Sequence, residues 1–291
     1  MPQSFSLKTI RTTITLGQGT FSSGGNTKII EGLATEVEVS KPGLPEKNSA
    51  TVKIANIKLD DMEQMTFLAF QPLQSLKNLI TIEAGEQGRE LDVVFKGEIT
   101  SAFADFSSAP EVWFKIEAIS GGYAAQIGAK PMSVNGEALA ADLIKQFATE
   151  IGYSFRNEGV TASVRNATFN GSPIEKAKAV ADEVGAELLI DDDTMVLMEY
   201  DKPRGDNVPL SVETGLIGYP SFTSDGIACS CFYDPNLKQG GAIELQSIVP
   251  RASGRWKITK LTHKLSAYMT GGGSWDTAIE AAYIGGGNNA K

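Results

Sequence analysis

Few residues in this chain are placed to do chemistry. His263 is the only histidine among the 291 residues. A serine triad would require it, yet no Gly-x-Ser-x-Gly elbow surrounds any serine. The run Asp191-Asp192-Asp193 offers three carboxylates to a divalent cation. It also sits between two apolar segments, Glu187–Ile190 and Met195–Met198, where aspartates serve as a solvated tight turn by bonding their own backbone. The solvated turn is the expected reading. Cys229 and Cys231 are two apart in a predicted strand, so both thiols share one face. That spacing is poorly suited to a disulfide, and a metal would need more ligands than one histidine could complete. Structural thiols are expected. The chain holds many acids, but none sits in a recognisable glycosidase setting. Gly271-Gly272-Gly273 and Gly285-Gly286-Gly287 lack the strand-to-helix context of a phosphate loop and read as a hairpin turn and a frayed tail. No catalytic residue, metal ligand or cofactor site is expected, and none is assigned.

The bulk properties bound the class of protein. Hydrophobic residues make up 42% and mean hydropathy is -0.10, the composition of a globular chain with room for two or three cores. No apolar run reaches membrane-spanning length, so no membrane partner is expected. Met1–Ser6 lacks a basic start followed by an apolar core, so no signal peptide is expected. The net charge of -9 argues against a DNA-binding face. It would suit a surface past which nucleic acid slides without sticking.

Most elements read as strands. Strands are expected at Lys8–Leu16, Leu33–Val39, Thr51–Ile57 and Asn78–Ala84, with a hairpin over Leu91–Ala102 and Val112–Ala118. In Leu33–Val39, Leu33, Thr35, Val37 and Val39 fall on one face, with Glu36 and Glu38 on the other. Leu59–Phe70 reads as a short helix with Asp60 and Asp61 near its start, where the dipole favours acids. The middle changes character. Glu137–Ile151 is an amphipathic helix with Leu139, Leu143, Ile144, Phe147 and Ile151 as its stripe. Tyr153–Phe155 and Thr161–Phe169 are expected strands. Ser172-Pro173-Ile174-Glu175 then has the form of a capping box. Beyond Asp201–Asn207 come a turn-rich entry, Gly215–Pro220, an alternating strand, Gly226–Phe232, a short strand, Ala242–Ser247, and a closing hairpin from Arg255 to Glu280.

The two hairpins resemble each other. Phe95-Lys96-Gly97-Glu98-Ile99-Thr100 leads to Ile116-Glu117-Ala118, and Trp256-Lys257-Ile258-Thr259 leads to Ile279-Glu280-Ala281. Upstream, Thr51–Ile57 and Asn78–Ala84 correspond to Gly226–Phe232 and Ala242–Ser247. The expected fold is α+β, mainly β, with two similar small antiparallel β-barrels flanking an inserted α+β domain. The divisions are 1–128, 129–204 and 205–291. Three such chains would set six barrels round an axis, a pseudo-sixfold ring.

The run Gly215–Thr223, with Gly226, Ile227, Phe232, Pro235, Leu237 and Gly240, resembles the C-terminal barrel of phage baseplate hub proteins. Trp256–Ser266, with Gly273, Trp275, Thr277 and Glu280, resembles the terminal hairpin of that group, and Gly97–Ala102, Asp105 and Pro110 resemble its N-terminal part. The resemblance extends to hub domains of type VI secretion spikes. It implies a structural homotrimer that joins a hexameric tail tube to a trimeric central spike. Baseplate wedge and tape-measure proteins would be further neighbours. There would be no specific nucleic-acid binding, although a genome could pass through the ring. The implied place is the tail baseplate of a virion assembled in the host bacterial cytoplasm. Trp113 faces outward in the alternation of Val112–Ala118. With Tyr219, His263 and Trp275 it makes up the candidate interface set. Rival readings are a tail-tip enzyme degrading cell wall, a single-barrel tail tube or completion protein, and a carbohydrate-binding sandwich.

Overall fold

Period-two alternation of apolar and polar residues runs through most of this chain, and strands follow it. The computed structural model describes residues 6–66, 78–107, 109–122 and 131–284. Among the described residues strands take 49% and helices number three, so sheets, largely antiparallel, build most of the core. The chain divides into two compact units. One comprises 1–40, 49–120 and 262–277, and the other 41–48, 121–261 and 278–291.

The first part of the chain gives β1 (Lys8–Thr15), β2 (Thr27–Glu31), β3 (Thr35–Lys41), β4 (Ser49–Ala55), α1 (Leu59–Met65), β5 (Leu79–Glu86), β6 (Asp92–Asp105) and β7 (Trp113–Ile119). Their order in the sheet is β3–β4–β7–β6–β5–β1–β2. Val37, Val52 and Ile116 stand in register across β3, β4 and β7. With Ile54, Ile82, Phe95 and Phe114 they are fully or almost fully buried. Each such side chain contributes about 1.5–3 kcal/mol. The expected alternation of β3 is seen, with Thr35, Val37 and Val39 inside. Strand β2 was not foreseen. Helix α1 is shorter than expected, because Thr66 is already extended; Phe67–Phe70 lie outside the described residues. Asp61 is not simply a dipole-favoured surface acid. It is buried, with Lys28 Nζ at 2.8 Å.

The middle of the chain carries β8 (Met132–Ser133), β9 (Glu137–Leu139), α2 (Ala140–Glu150), β10 (Ser154–Asn157), β11 (Ser163–Arg165), β12 (Thr168–Phe169), α3 (Pro173–Glu183), β13 (Ala186–Asp191) and β14 (Thr194–Glu199). Helices α2 and α3 cover one face of the sheet β10–β14–β13. Leu143, Ile144 and Phe147 from α2 meet Ala177 and Val180 from α3 and Leu188, Ile190, Met195 and Leu197 from the sheet. The capping box forms as expected: the Ser172 hydroxyl accepts from the Glu175 N–H, and Glu175 Oε2 accepts from the Ser172 N–H at 2.7 Å. The expected start of α2 is corrected. Glu137–Leu139 pairs with β11 as a strand, so Leu139 leaves the apolar stripe and is 46% exposed.

The last part gives β15 (Asn207–Leu210), β16 (Leu216–Phe222), β17 (Gly226–Phe232), β18 (Ala242–Leu245), a single 3-10 turn (Pro250–Ala252), β19 (Gly254–Ala267) and β20 (Trp275–Tyr283). Strands β19 and β20 contribute residues to both units. The order is β16–β17–β20–β19, with β18 antiparallel to β19 and β15 parallel to β18. Ile227, Cys229, Ile243, Ile258 and Ile279 form its core. The expected turn at Gly215–Pro220 is instead most of β16. Its pairing with β17 shifts register between Ile217 and Ser221, and Gly218, at φ 68°, lies within that irregularity. A bulge of this kind lets a strand hold a left-handed glycine and a proline that would otherwise argue against it. The Gly285–Gly287 run lies outside the described residues.

Candidate assembly surface

Strand β16 pairs only with β17 among the described residues; on its other edge the Leu216 N–H donates to the Ser211 carbonyl at 2.8 Å, and no described strand lies beyond. None of its seven residues is charged. Ile217, Tyr219 and Phe222 are exposed along it, as is Phe232 on β17. The Phe232 ring lies over Gly215, where a Cβ would come within 3.3 Å of it. The inner face is closed by Ile227, Cys229 and Cys231. Burial pushes the Cys229 thiol up to about 11. Both cysteines are buried thiols outside any disulfide, and among the described residues no group of three or more His, Cys, Asp or Glu is arranged to hold a metal.

A second edge without a described strand beside it lies on β6. Its first half pairs with β5 up to Glu98 and its second half with β7 from Glu98 to Asp105. The Ile99 N–H still donates to the Asn78 carbonyl at 2.9 Å, and over Thr100–Asp105 no described strand occupies the other side. Gly97 marks the changeover, where a Cβ would stand 2.5 Å from the Ile119 carbonyl oxygen.

The four residues singled out by sequence differ in exposure. Tyr219 is 71% exposed. Trp113 is half-buried in β7, in register with Ala55 and Asp105. Trp275 is half-buried, with Lys8 Nζ 5.9 Å from its ring centroid. His263 is buried, with Nδ1 2.8 Å from Thr277 Oγ1. Tyr219 belongs to one unit and the other three to the other. Sequence reasoning missed Ile217, because the turn assignment over Gly215–Pro220 carries no inside and outside, and Phe222, which lay past that turn in no assigned strand. Phe232 could have been found from the alternation of Ile227, Cys229 and Cys231.

The acidic turn is more than solvated surface. Lys41 Nζ lies 3.1 Å from Asp191 and 3.6 Å from Asp192, and Arg204 donates to Asp191 at 2.8 Å and to the Gln239 carbonyl at 2.6 Å. Burial opposes charge on Lys41, but Asp192 and Asp191 outweigh it and raise its pKa. Burial likewise works against the Asp191 carboxylate. The charges of Lys41 and Arg204 prevail and hold its pKa well below the ordinary value. The turn itself is as expected, with Asp192 at φ 55°.

The chain is β-rich with an α+β insert, and strand β16 is uncharged with no described strand on its outer side. Its fold is that of phage tail proteins. The 43 kDa tail protein of prophage MuSo2 from Shewanella oneidensis matches with a TM-score of 0.64 at 9% identity, over 94% of this chain and 97% of that one. A tail protein from Neisseria meningitidis MC58 matches with a TM-score of 0.64 at 10% identity, over 95% and 97%. The E. coli c3393 protein matches with a TM-score of 0.54 at 11% identity, over 86% and 73%. It is described as a type VI secretion component similar in structure to T4 tail proteins gp27 and gp5. No curated protein matches the sequence. The chain belongs to the baseplate hub gp41 family, whose model matches residues 9–270. Its role is therefore structural, in the phage tail.

Proposed function

We propose that the chain is the homotrimeric hub of a contractile-tail baseplate, a pseudo-sixfold ring joining a hexameric tube to a trimeric central spike. The observation that carries the reading is internal repetition. The orders β3–β4–β7–β6–β5 and β16–β17–β20–β19–β18 match strand for strand. β6 and β19 are each 14 residues long. The Thr100 hydroxyl donates to the Glu117 carbonyl at 3.1 Å, and the Thr259 hydroxyl donates to the Glu280 carbonyl at 3.0 Å. Three copies of a chain with two like sheets give six like surfaces, which suits the joining of sixfold to threefold objects. The division at 1–128, 129–204 and 205–291, with the outer parts as small barrels, belongs to this reading. In its support, one core cluster draws its buried residues from Val134–Leu197 and another from Leu210–Ala281.

The repeat also indicates how copies join. In one unit, Thr262–Ala267 of β19 lies beside β3. The equivalent segments are Thr100–Asp105 of β6 and strand β16, neither with a described strand on its other side. Joining them between neighbouring copies is a heterologous contact that closes by rotation. Tyr219 and Phe222 would be anchors within that contact, while Trp113, His263 and Trp275 keep open candidate roles at the ring. The test is the mass of the purified chain by sedimentation, alone and with its tube and spike proteins. A trimer is expected in at least one condition. Tyr219→Lys with Phe222→Lys should weaken it at least about tenfold, or roughly 1.4 kcal/mol, while Ile29→Lys on β2 should not. A chain that stays monomeric with both partners, or a double variant that trimerises like the parent, overturns the reading.

A further inference from the structure

The triple aspartate turn has no part in the proposed ring contact, yet two of its carboxylates are engaged by Lys41 and Arg204. Strands β13 and β14 have two faces. One carries Leu188, Ile190, Met195 and Leu197 into the α2–α3 core. The other carries only three apolar side chains, Leu189, Val196 and Met198, as a small separate cluster. Gly240 packs on that cluster so closely that a Cβ would stand 2.6 Å from Leu189 Cδ1 and 2.9 Å from Met198 Sδ.

Charge brackets this patch at both ends. At one end Asp191 and Asp192 receive Lys41, and Asp191 also receives Arg204. Beside them the Asn48 side chain donates to the Ile190 carbonyl at 2.7 Å. At the other end buried Lys257 pairs with Glu187 and donates to the Tyr200 carbonyl. Every cation comes from outside the hairpin, from segments up to 150 residues away in sequence. Lys41, Arg204 and Lys257 are all less than a tenth exposed.

Buried ion pairs are a poor source of net stability, because desolvation offsets their attraction and apolar replacements often do as well. What they supply is selectivity. A carboxylate left facing an apolar wall is heavily penalised, whereas three aliphatic side chains can slide over a flat surface with little change in contact. We propose that the charges on Glu187, Asp191 and Asp192 fix a single docking position of the α2–α3 module on the β18–β19 part of its unit, and that the apolar patch supplies adhesion without that choice.

The test separates position from stability. Spin labels at Lys145→Cys on α2 and Glu244→Cys on β18, both exposed sites, report one distance across the joint in the full chain. The parent should give one narrow distribution. Lys41→Met, Glu187→Gln, Asp191→Leu, Asp192→Asn, Arg204→Gln and Lys257→Met together should leave the thermal midpoint within about 5 °C of the parent and broaden or split the distance. Leu189→Ala should lower the midpoint and keep the distance single. A charge-free variant with the narrow parental distance overturns the proposal. So does a charge-free variant whose midpoint falls steeply with the distance unchanged. If Leu189→Ala itself splits the distance, the apolar patch sets the position and the proposal fails.

Discussion

Replacing Asp191 by Asn would break the buried charge set while preserving its shape. The change takes away the carboxylate 2.8 Å from Arg204 and 3.1 Å from Lys41. Lys41, with its side chain only 10% exposed, would keep Asp192 at 3.6 Å. Removing one partner of a buried pair costs about 3–5 kcal/mol, because the remaining charge stays desolvated. Asp192 remains, and the Asp191 side chain is 23% exposed, so the lower end, about 3 kcal/mol, is expected. At roughly 2–4 °C per kcal/mol, the thermal midpoint should fall by about 6–12 °C. Urea unfolding followed by tryptophan fluorescence measures the loss directly. The pH dependence gives a second reading. The Asp191 carboxyl is held below its ordinary value of 3.8 in the folded chain. Its contribution is therefore present above the unfolded value and is lost as pH falls toward the folded one. The gap between parent and Asp191→Asn should be full at pH 7 and should narrow below about pH 4. A loss under about 1 kcal/mol, the range of exposed ion pairs, would refute the reasoning, as would a gap that persists unchanged into acid.

Three further outcomes are expected. Ser172→Ala removes the acceptor for the Glu175 N–H and should cost about 1 kcal/mol by denaturant unfolding; a neutral result would mean the cap is replaced by water at no cost. Gly226→Ala would place a Cβ 2.1 Å from the Ala281 carbonyl oxygen, a backbone atom that cannot swing aside. It should cost at least about 3 kcal/mol, and an unchanged thermal midpoint would show that β17 and β20 separate easily. Cys229, with its thiol pushed up to about 11, should resist a charged thiol reagent at pH 8 in the folded chain and react on unfolding. Rapid labelling of the native protein would show that this sheet opens.

How much of this could be read in the sequence depends on the range of the interaction involved. The capping box at Ser172–Glu175 needs only neighbours within one helical turn, so it was legible residue by residue. So were the inward sets Val37, Val39, Val52 and Ile54, because burying one side of a sheet writes itself as period two. Helix α2 was mis-started for a reason of the same kind. Leu139 fits the helical stripe by spacing, but pairing with Ser163 in β11 claims the backbone first. Strand β16 was hidden because Gly215, Gly218 and Pro220 carry the local signature of turns. Only the pairing with β17 and its register shift make a strand there.

The charged residues show the limit most sharply. Asp191 and Asp61 looked like a turn residue and a first-turn helix residue, and locally each is that. Their partners Lys41 and Lys28 lie far off in sequence, and no periodicity announces them. Alternation has the same limit for the candidate interface. It assigned Trp113 to the face opposite Phe114 and Ile116, and those two are indeed fully buried while Trp113 is not. But which face a side chain takes is set by its own strand, whereas its exposure is set by what the rest of the chain lays over that face. Trp113 is therefore half-covered, while Tyr219, at an edge with no further strand beside it among the described residues, is the one candidate that stands mostly in solvent.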